Sequence, residues 1–135
     1  MSDRRVESTG LVGLLAFGAV SAIAGGIGLL GNGIGLPLDW LDGSPFSDYT
    51  IPGIILGAIV GGSQLLAAGA MLRRVERSHT TAAIAGVVMM GWIASEVLIV
   101  GTHGGLMLAL QLIYSVLGLA ELALAARLMR ERVSA

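Results

Sequence analysis

The chain is written as long apolar blocks set off by short polar ones. Residues 8–38 hold no charged side chain, residues 49–72 hold none, and from Ser78 to Ala126 only Glu96 and Glu121 interrupt the apolar run. A helix needs ~20 apolar residues to cross a hydrocarbon core of ~30 Å. The first two blocks therefore supply one span each. The third is long enough for two, and Gly101-Thr102-His103-Gly104-Gly105 near its middle divides it. The pattern predicts an all-α, polytopic membrane protein: one domain over 1–135, an antiparallel four-helix bundle with spans at about 10–34, 51–72, 80–100 and 105–126.

Local signals sharpen the ends. Span one, from Gly10 to Leu36, would measure roughly 39 Å at about 1.5 Å per residue, so it must tilt or stop early. Gly31-Asn32-Gly33-Ile34-Gly35 favours stopping, with Asn32 or Gly33 in a left-handed cap and Pro37 barring continuation. At the start of span two, Asp48 or Thr50 is placed to cap and Pro52 falls in the first turn, where its missing N–H costs nothing.

Small residues recur at helical spacing inside these blocks. Gly18, Ser21, Gly25, Gly28 and Asn32 step by threes and fours along span one, and Gly53, Gly57 and Gly61 repeat a small-xxx-small motif in span two, with Gln64 and Ala68 continuing that face. In lipid there is little hydrophobic drive between helices, so close backbone approach and polar contacts hold a bundle together. Gln111, Tyr114, Ser115, Gly118 and Glu121 form a comparable stripe in span four, facing protein or water.

Composition agrees: 55% of positions are hydrophobic, 13% are charged and the mean hydropathy is +0.85, against about 25% charged in soluble domains. A water-soluble domain is excluded. A net charge of -1 and 4% aromatic residues speak against nucleic acid as a partner. With no cysteine, disulfides, thiol redox chemistry and thiolate metal sites are excluded.

Charge placement gives the orientation. Arg4 and Arg5 precede span one, Arg73, Arg74 and Arg77 lie between spans two and three, and Arg127, Arg130 and Arg132 follow span four, while the first loop carries Asp39, Asp42 and Asp48 and no arginine. Basic connections stay in the cytoplasm, so both termini are expected there, in a bacterial inner membrane. Arg4-Arg5, the apolar run from Leu11 and Ala22-Ile23-Ala24 imitate a secretory signal. The run continues well past Ala24, however, and Asp3 and Glu7 dilute the basic leader. Trp40, Phe46 and Tyr49 fit an interfacial aromatic belt.

The polar groups inside the spans carry the candidate chemistry. Glu96 lies near the outer end of span three, where desolvation opposes an ionised carboxylate. It reads either as a proton-coupling or cation-binding group on a cavity wall, or as a neutral acid hydrogen-bonded across the bundle, with Gln111 at nearly the same depth. Trp92 sits one turn below Glu96 on the same face, its indole N–H in need of an acceptor. Gln64 and Tyr114, with Ser115, fall near the midplane and, with Glu96 and Gln111 above them, either line an outward-opening pocket or satisfy one another. Glu121 is expected to reach the inner interface and pair with Arg73, Arg74 or Arg127. The loop aspartates match no calcium-loop spacing. His79 and His103 fall at opposite faces, so no metal site is expected.

Catalytic motifs are lacking: there is no Gly-x-Ser-x-Gly elbow and no phosphate loop, and Gly26-x-Gly28-x-x-Gly31 matches a dinucleotide fingerprint only as letters, with no strand before it. No enzyme and no cofactor are expected.

Four short spans with both ends inside and almost no extramembrane mass resemble the plan of DoxX-type and related small four-helix bacterial membrane proteins. The stretch from Leu36-Pro37-Leu38-Asp39-Trp40-Leu41 to Pro45-Phe46-Ser47-Asp48-Tyr49-Thr50-Ile51-Pro52-Gly53 is similar to one in actinobacterial membrane proteins. The resemblance implies the architecture and no site residue. The expected function is that of an accessory or self-associating membrane subunit, partnered by lipid and by its own copies or a larger membrane complex. The alternative is a small-molecule or proton-coupled carrier using Glu96, Gln64, Gln111, Tyr114 and Trp92.

Overall fold

The computed structural model describes residues 2–32 and 35–134. Helix α1 runs Ser2–Asn32, a 3₁₀ turn occupies Leu38–Leu41, α2 runs Thr50–Leu72, α3 Ser78–Ile99 and α4 Gly105–Ser134. No strand occurs among the described residues. All four long helices contain a stretch long and apolar enough to cross a membrane: Arg5–Gly31, Thr50–Leu72, Ser78–Ile99 and Met107–Glu131.

The helix ends follow local chemistry. α1 is described as far as Asn32, and the cap expected at Gly33 lies outside the described residues. At the start of α2 the Asp48 carboxylate accepts from the Thr50 N–H at 3.0 Å, and Pro52 falls in the first turn. α2 is not uniform: Ile55–Val60 is wound as a π-helix between α-helical Thr50–Ile54 and Gly61–Leu72. Arg74 takes a left-handed φ of 54° after α2, and Gly101 and Gly104, at φ 87° and 90°, make the tight turn between α3 and α4.

Two apolar clusters fill the interior. One, toward the arginine-bearing connections, joins Leu11 and Leu15 of α1, Ala67, Ala68 and Met71 of α2, Ala82 and Ala85 of α3, and Ala125 and Leu128 of α4. The other joins Ala22, Val60, Met89 and Leu117, one residue from each helix. Most of the large aliphatic side chains face outward: Leu98 is 84% exposed, and Val20 and Leu66 are 71% exposed. Proteins folded in water keep contiguous exposed apolar surface of this kind small.

Glycine sets how closely the helices approach. A Cβ on Gly26 would stand 2.6 Å from Cα and N of Gly57 and 2.7 Å from the Gly53 carbonyl oxygen, so α1 and α2 touch backbone to backbone. Gly86 of α3 and Gly118 of α4 do the same, with a Gly86 Cβ 2.9 Å from the Gly118 carbonyl oxygen. Gly25 meets Leu56, Gly61 meets Ile23, and Gly18 is packed under the Gln64 side-chain oxygen. Ser21 turns back on its own helix, its hydroxyl donating to the Phe17 carbonyl at 2.7 Å.

Candidate functional site

At the end of the bundle away from the arginines, α1, α2, α3 and α4 splay around two adjoining cavities of about 360 and 280 Å³. Trp92 and Glu96 stand on the wall that both share, together with Leu29, Leu36, Trp40 and Met107. Their one-turn spacing on α3 puts the indole directly beneath the carboxyl. Tyr114 and Gln111 line the second cavity only. Tyr114 stacks on Phe17 of α1 with ring centroids 6.4 Å apart.

Gln111 has a second task. Its carboxamide oxygen accepts from the Thr102 hydroxyl at 2.6 Å and its amide donates to the Gly101 carbonyl at 3.2 Å, which ties the α3–α4 turn to α4. The same side chain interacts with the Glu96 carboxyl. Glu96 is only half-buried, so it stands between this polar turn and the apolar cavity.

The first loop covers the cavities. Trp40, on the 3₁₀ turn, stacks on His103 of the α3–α4 turn with centroids 4.8 Å apart and planes 8° from parallel. His103 is held by contacts of its ring Nε2 with the Val100 carbonyl oxygen at 3.0 Å and of its backbone N–H with the Met107 sulfur at 3.2 Å. Tyr49 anchors the loop's other limb by donating to the Pro37 carbonyl at 2.7 Å. Burial, and secondarily the Asp39 carboxylate, push the Tyr49 phenol above its ordinary range. Trp40, Phe46 and Tyr49, expected as an interfacial belt, all line the larger cavity.

Gln64 does not join this group. It is fully buried deeper in the bundle, where its amide donates to a carboxyl oxygen of Glu121 at 2.7 Å and to the Ala85 carbonyl at 3.1 Å. The reason is helical phase. Glu121 follows Leu117 and Gly118 around α4 onto the interior face, while Gln64 follows Val60 onto the interior face of α2. The expected pairing of Glu121 with an arginine is corrected by the same geometry: Glu121 is 0% exposed and held by Gln64, whereas Arg127 pairs with Glu7 at 3.2 Å and with Glu131 at 3.8 Å. Ser115, also expected near the pocket, bonds the Gln111 carbonyl of its own helix at 2.7 Å.

Two features were misplaced or missed in the sequence. Glu121 stands in the stripe that Gln111 begins, yet it was expected to reach out to the inner interface rather than stay inside. Gly26 was noticed only as part of a misplaced fingerprint. No group of three or more metal-binding side chains occurs among the described residues. Comparison with family models, curated proteins and solved structures returns no match.

Proposed function

We propose that the chain is a non-enzymatic, multi-pass protein of the bacterial cytoplasmic membrane that binds lipophilic cations in the cavity beneath Trp40 and His103. The membrane reading rests on the outward-facing leucines and the four apolar helices. Antiparallel packing is supported for α3 and α4 by Thr80 against Met129, Gly86 against Gly118 and Thr102 against Gln111, and for α1 and α2 by Gly18 against Gln64 and Gly26 against Gly57. With arginines on the cytoplasmic side, both termini are inside and the cavity lies in the outer leaflet, in the manner of the small four-helix plan that the sequence resembles.

One observation carries the ligand reading: a single carboxyl, Glu96, stands on the common wall of two largely apolar cavities with the chain's two indoles, Trp40 and Trp92, beside it. An apolar cleft with few convergent polar groups is the usual form of a small-molecule site. Here the polar group is acidic, indole faces attract cations, and the loop above adds Asp39, Asp42 and Asp48 with no basic residue. The complementary ligand is a greasy cation.

Both tryptophans report on the site, so binding is read by intrinsic fluorescence of the full chain in lipid nanodiscs. Tetraphenylphosphonium should change the emission saturably, and its near-isosteric anion tetraphenylborate should not. Glu96→Gln should weaken phosphonium binding about tenfold, equivalent to about 1.4 kcal/mol. Identical, non-saturating responses to the two ions would leave the chain as an accessory or self-associating subunit and end the binding reading.

A further inference from the structure

Below the cavity the bundle contains a polar layer that ligand binding does not use. Gln64 and Glu121 are each 0% exposed, and each keeps one oxygen without a hydrogen-bond partner, Oε1 of Gln64 and Oε2 of Glu121. Every helix sandwiches this layer between apolar residues one turn away. Gly18 lies between Leu15 and Ala22, Gln64 between Val60 and Ala67, Ala85 and Gly86 between Ala82 and Met89, and Glu121 between Leu117 and Ala125.

Among the described residues, no charge faces Glu121 from any of these helices. α1 presents Gly18, α2 presents Gln64, and α3 presents Ala85 and Gly86. Along α4 itself the next charged group toward the arginine end is Arg127, which pairs with Glu7. Glu96 stands on the far side of Met89, on the cavity wall. An ionised Glu121 would be a buried anion with no counter-ion, which costs several kcal/mol. A protonated one turns Oε2 into a donor, and the other orphan, Gln64 Oε1, is an acceptor.

We propose that Gln64 and Glu121 form an occluded proton-binding site that exchanges with the cavity above it. Loaded, Glu121 is the neutral acid, with its carbonyl oxygen taking the Gln64 N–H. Unloading breaks the Glu121 O–H bond and passes the proton to cavity water, leaving a carboxylate held by the Gln64 amide and compensated by whatever charge the cavity then holds. The route has a structural counterpart. Ala22, Val60 and Met89 are at once the roof of the polar layer and part of the cavity lining. Val60 also closes the π-helical Ile55–Val60, which leads straight into the turn bearing Gln64. Such π segments interrupt the regular hydrogen-bond ladder and are common at functional sites.

The test is infrared spectroscopy of the full chain in bilayers, at neutral pH in sodium-free potassium buffer. With Glu96→Gln as background, a carbonyl stretch of a protonated carboxylic acid should be present, and adding Glu121→Gln should remove it. Gln64→Leu, which leaves the acid in place but deletes its partner, should shift the band rather than abolish it, so the assignment survives even where one variant assembles poorly. On transfer to D₂O the band should move to its deuterated position within minutes. Loss of a carboxylate stretch instead of the acid band on adding Glu121→Gln would overturn the proposal. So would conversion of the acid band to carboxylate by added sodium, which would make this a metal-cation site, or an acid band that stays protiated for hours, which would make the proton a fixed structural one.

Discussion

Gly26 and Gly57 touch backbone to backbone, yet the contact is lopsided: a Cβ on Gly26 would come within 2.6 Å of Gly57, while a Cβ on Gly57 would lie 3.5 Å from Gly26, an ordinary packing distance. Sequence spacing puts Gly57 in a small-residue seam and leaves Gly26 out of the stripe read for span one. Gly26→Ala should destabilise the bundle by about 1–3 kcal/mol, because backbone cannot move aside as a side-chain tip does. Gly57→Ala should be neutral or stabilising by up to about 1 kcal/mol through helix propensity. Unfolding of both variants in mixed micelles by increasing sodium dodecyl sulfate compares them directly, and equal losses would refute the asymmetry.

Trp40 and His103 join the first loop to the α3–α4 turn, two segments more than sixty positions apart in the chain. Offset aromatic pairs contribute about 0.5–1.5 kcal/mol beyond their buried area. A double-mutant cycle with Trp40→Ala and His103→Ala should return a coupling of that size in the same unfolding assay. It should also raise proteolysis at exposed loop sites near Asp42 and Ser47. A coupling near zero would mean that the loop is held by Tyr49 and Pro37 instead.

How much of this was legible in the sequence depended on whether a feature is periodic or relational. The four long apolar helices were readable because hydrocarbon thickness imposes a length, and the α3–α4 turn because Gly101 and Gly104 are needed at positive φ. Glu96, Trp92, Gln111 and Tyr114 share a cavity because they sit on facing stripes near one end. Gln64 and Glu121 were split wrongly: a polar residue in an apolar run announces itself, but its partner is set by the rotation of each helix, which a single glutamine or glutamate does not encode. The aromatic loop residues pointed correctly to one end of the spans and not to the cavity they roof. The π-helical stretch left no trace, since Ile55-Leu56-Gly57-Ala58-Ile59-Val60 reads as ordinary helix.

Orientation is open to a direct chemical test because the chain has no native cysteine. Single-cysteine variants at Ser47, in the acidic loop, and at Val75, in the arginine-rich connection, are both exposed and require no mutation elsewhere. In intact cells with the outer membrane permeabilised, a membrane-impermeant maleimide should label Ser47→Cys and leave Val75→Cys unlabelled until the inner membrane is lysed. The reverse pattern would invert the bundle and move the cavity to the inner leaflet.

Tyr49 gives the fold an alkaline sensitivity with a definite sign. Its phenol is nearly buried and donates to the Pro37 carbonyl at 2.7 Å, and burial, then Asp39, hold its pKa above the ordinary 10.0. A raised value means that the folded chain keeps a proton that the unfolded chain has already lost. The contribution is therefore full below about pH 10 and disappears as pH rises through the folded value. Tyr49→Phe removes the donor and the titration together. At about pH 8 it should cost roughly 0.5–1.5 kcal/mol, the worth of one hydrogen bond. Toward about pH 11 the wild-type and variant unfolding energies should converge, because the wild type alone loses stability from this group. Parallel pH curves would show that the phenol titrates as it does in the unfolded chain, and that the loop roofing the cavity is not fastened by this bond.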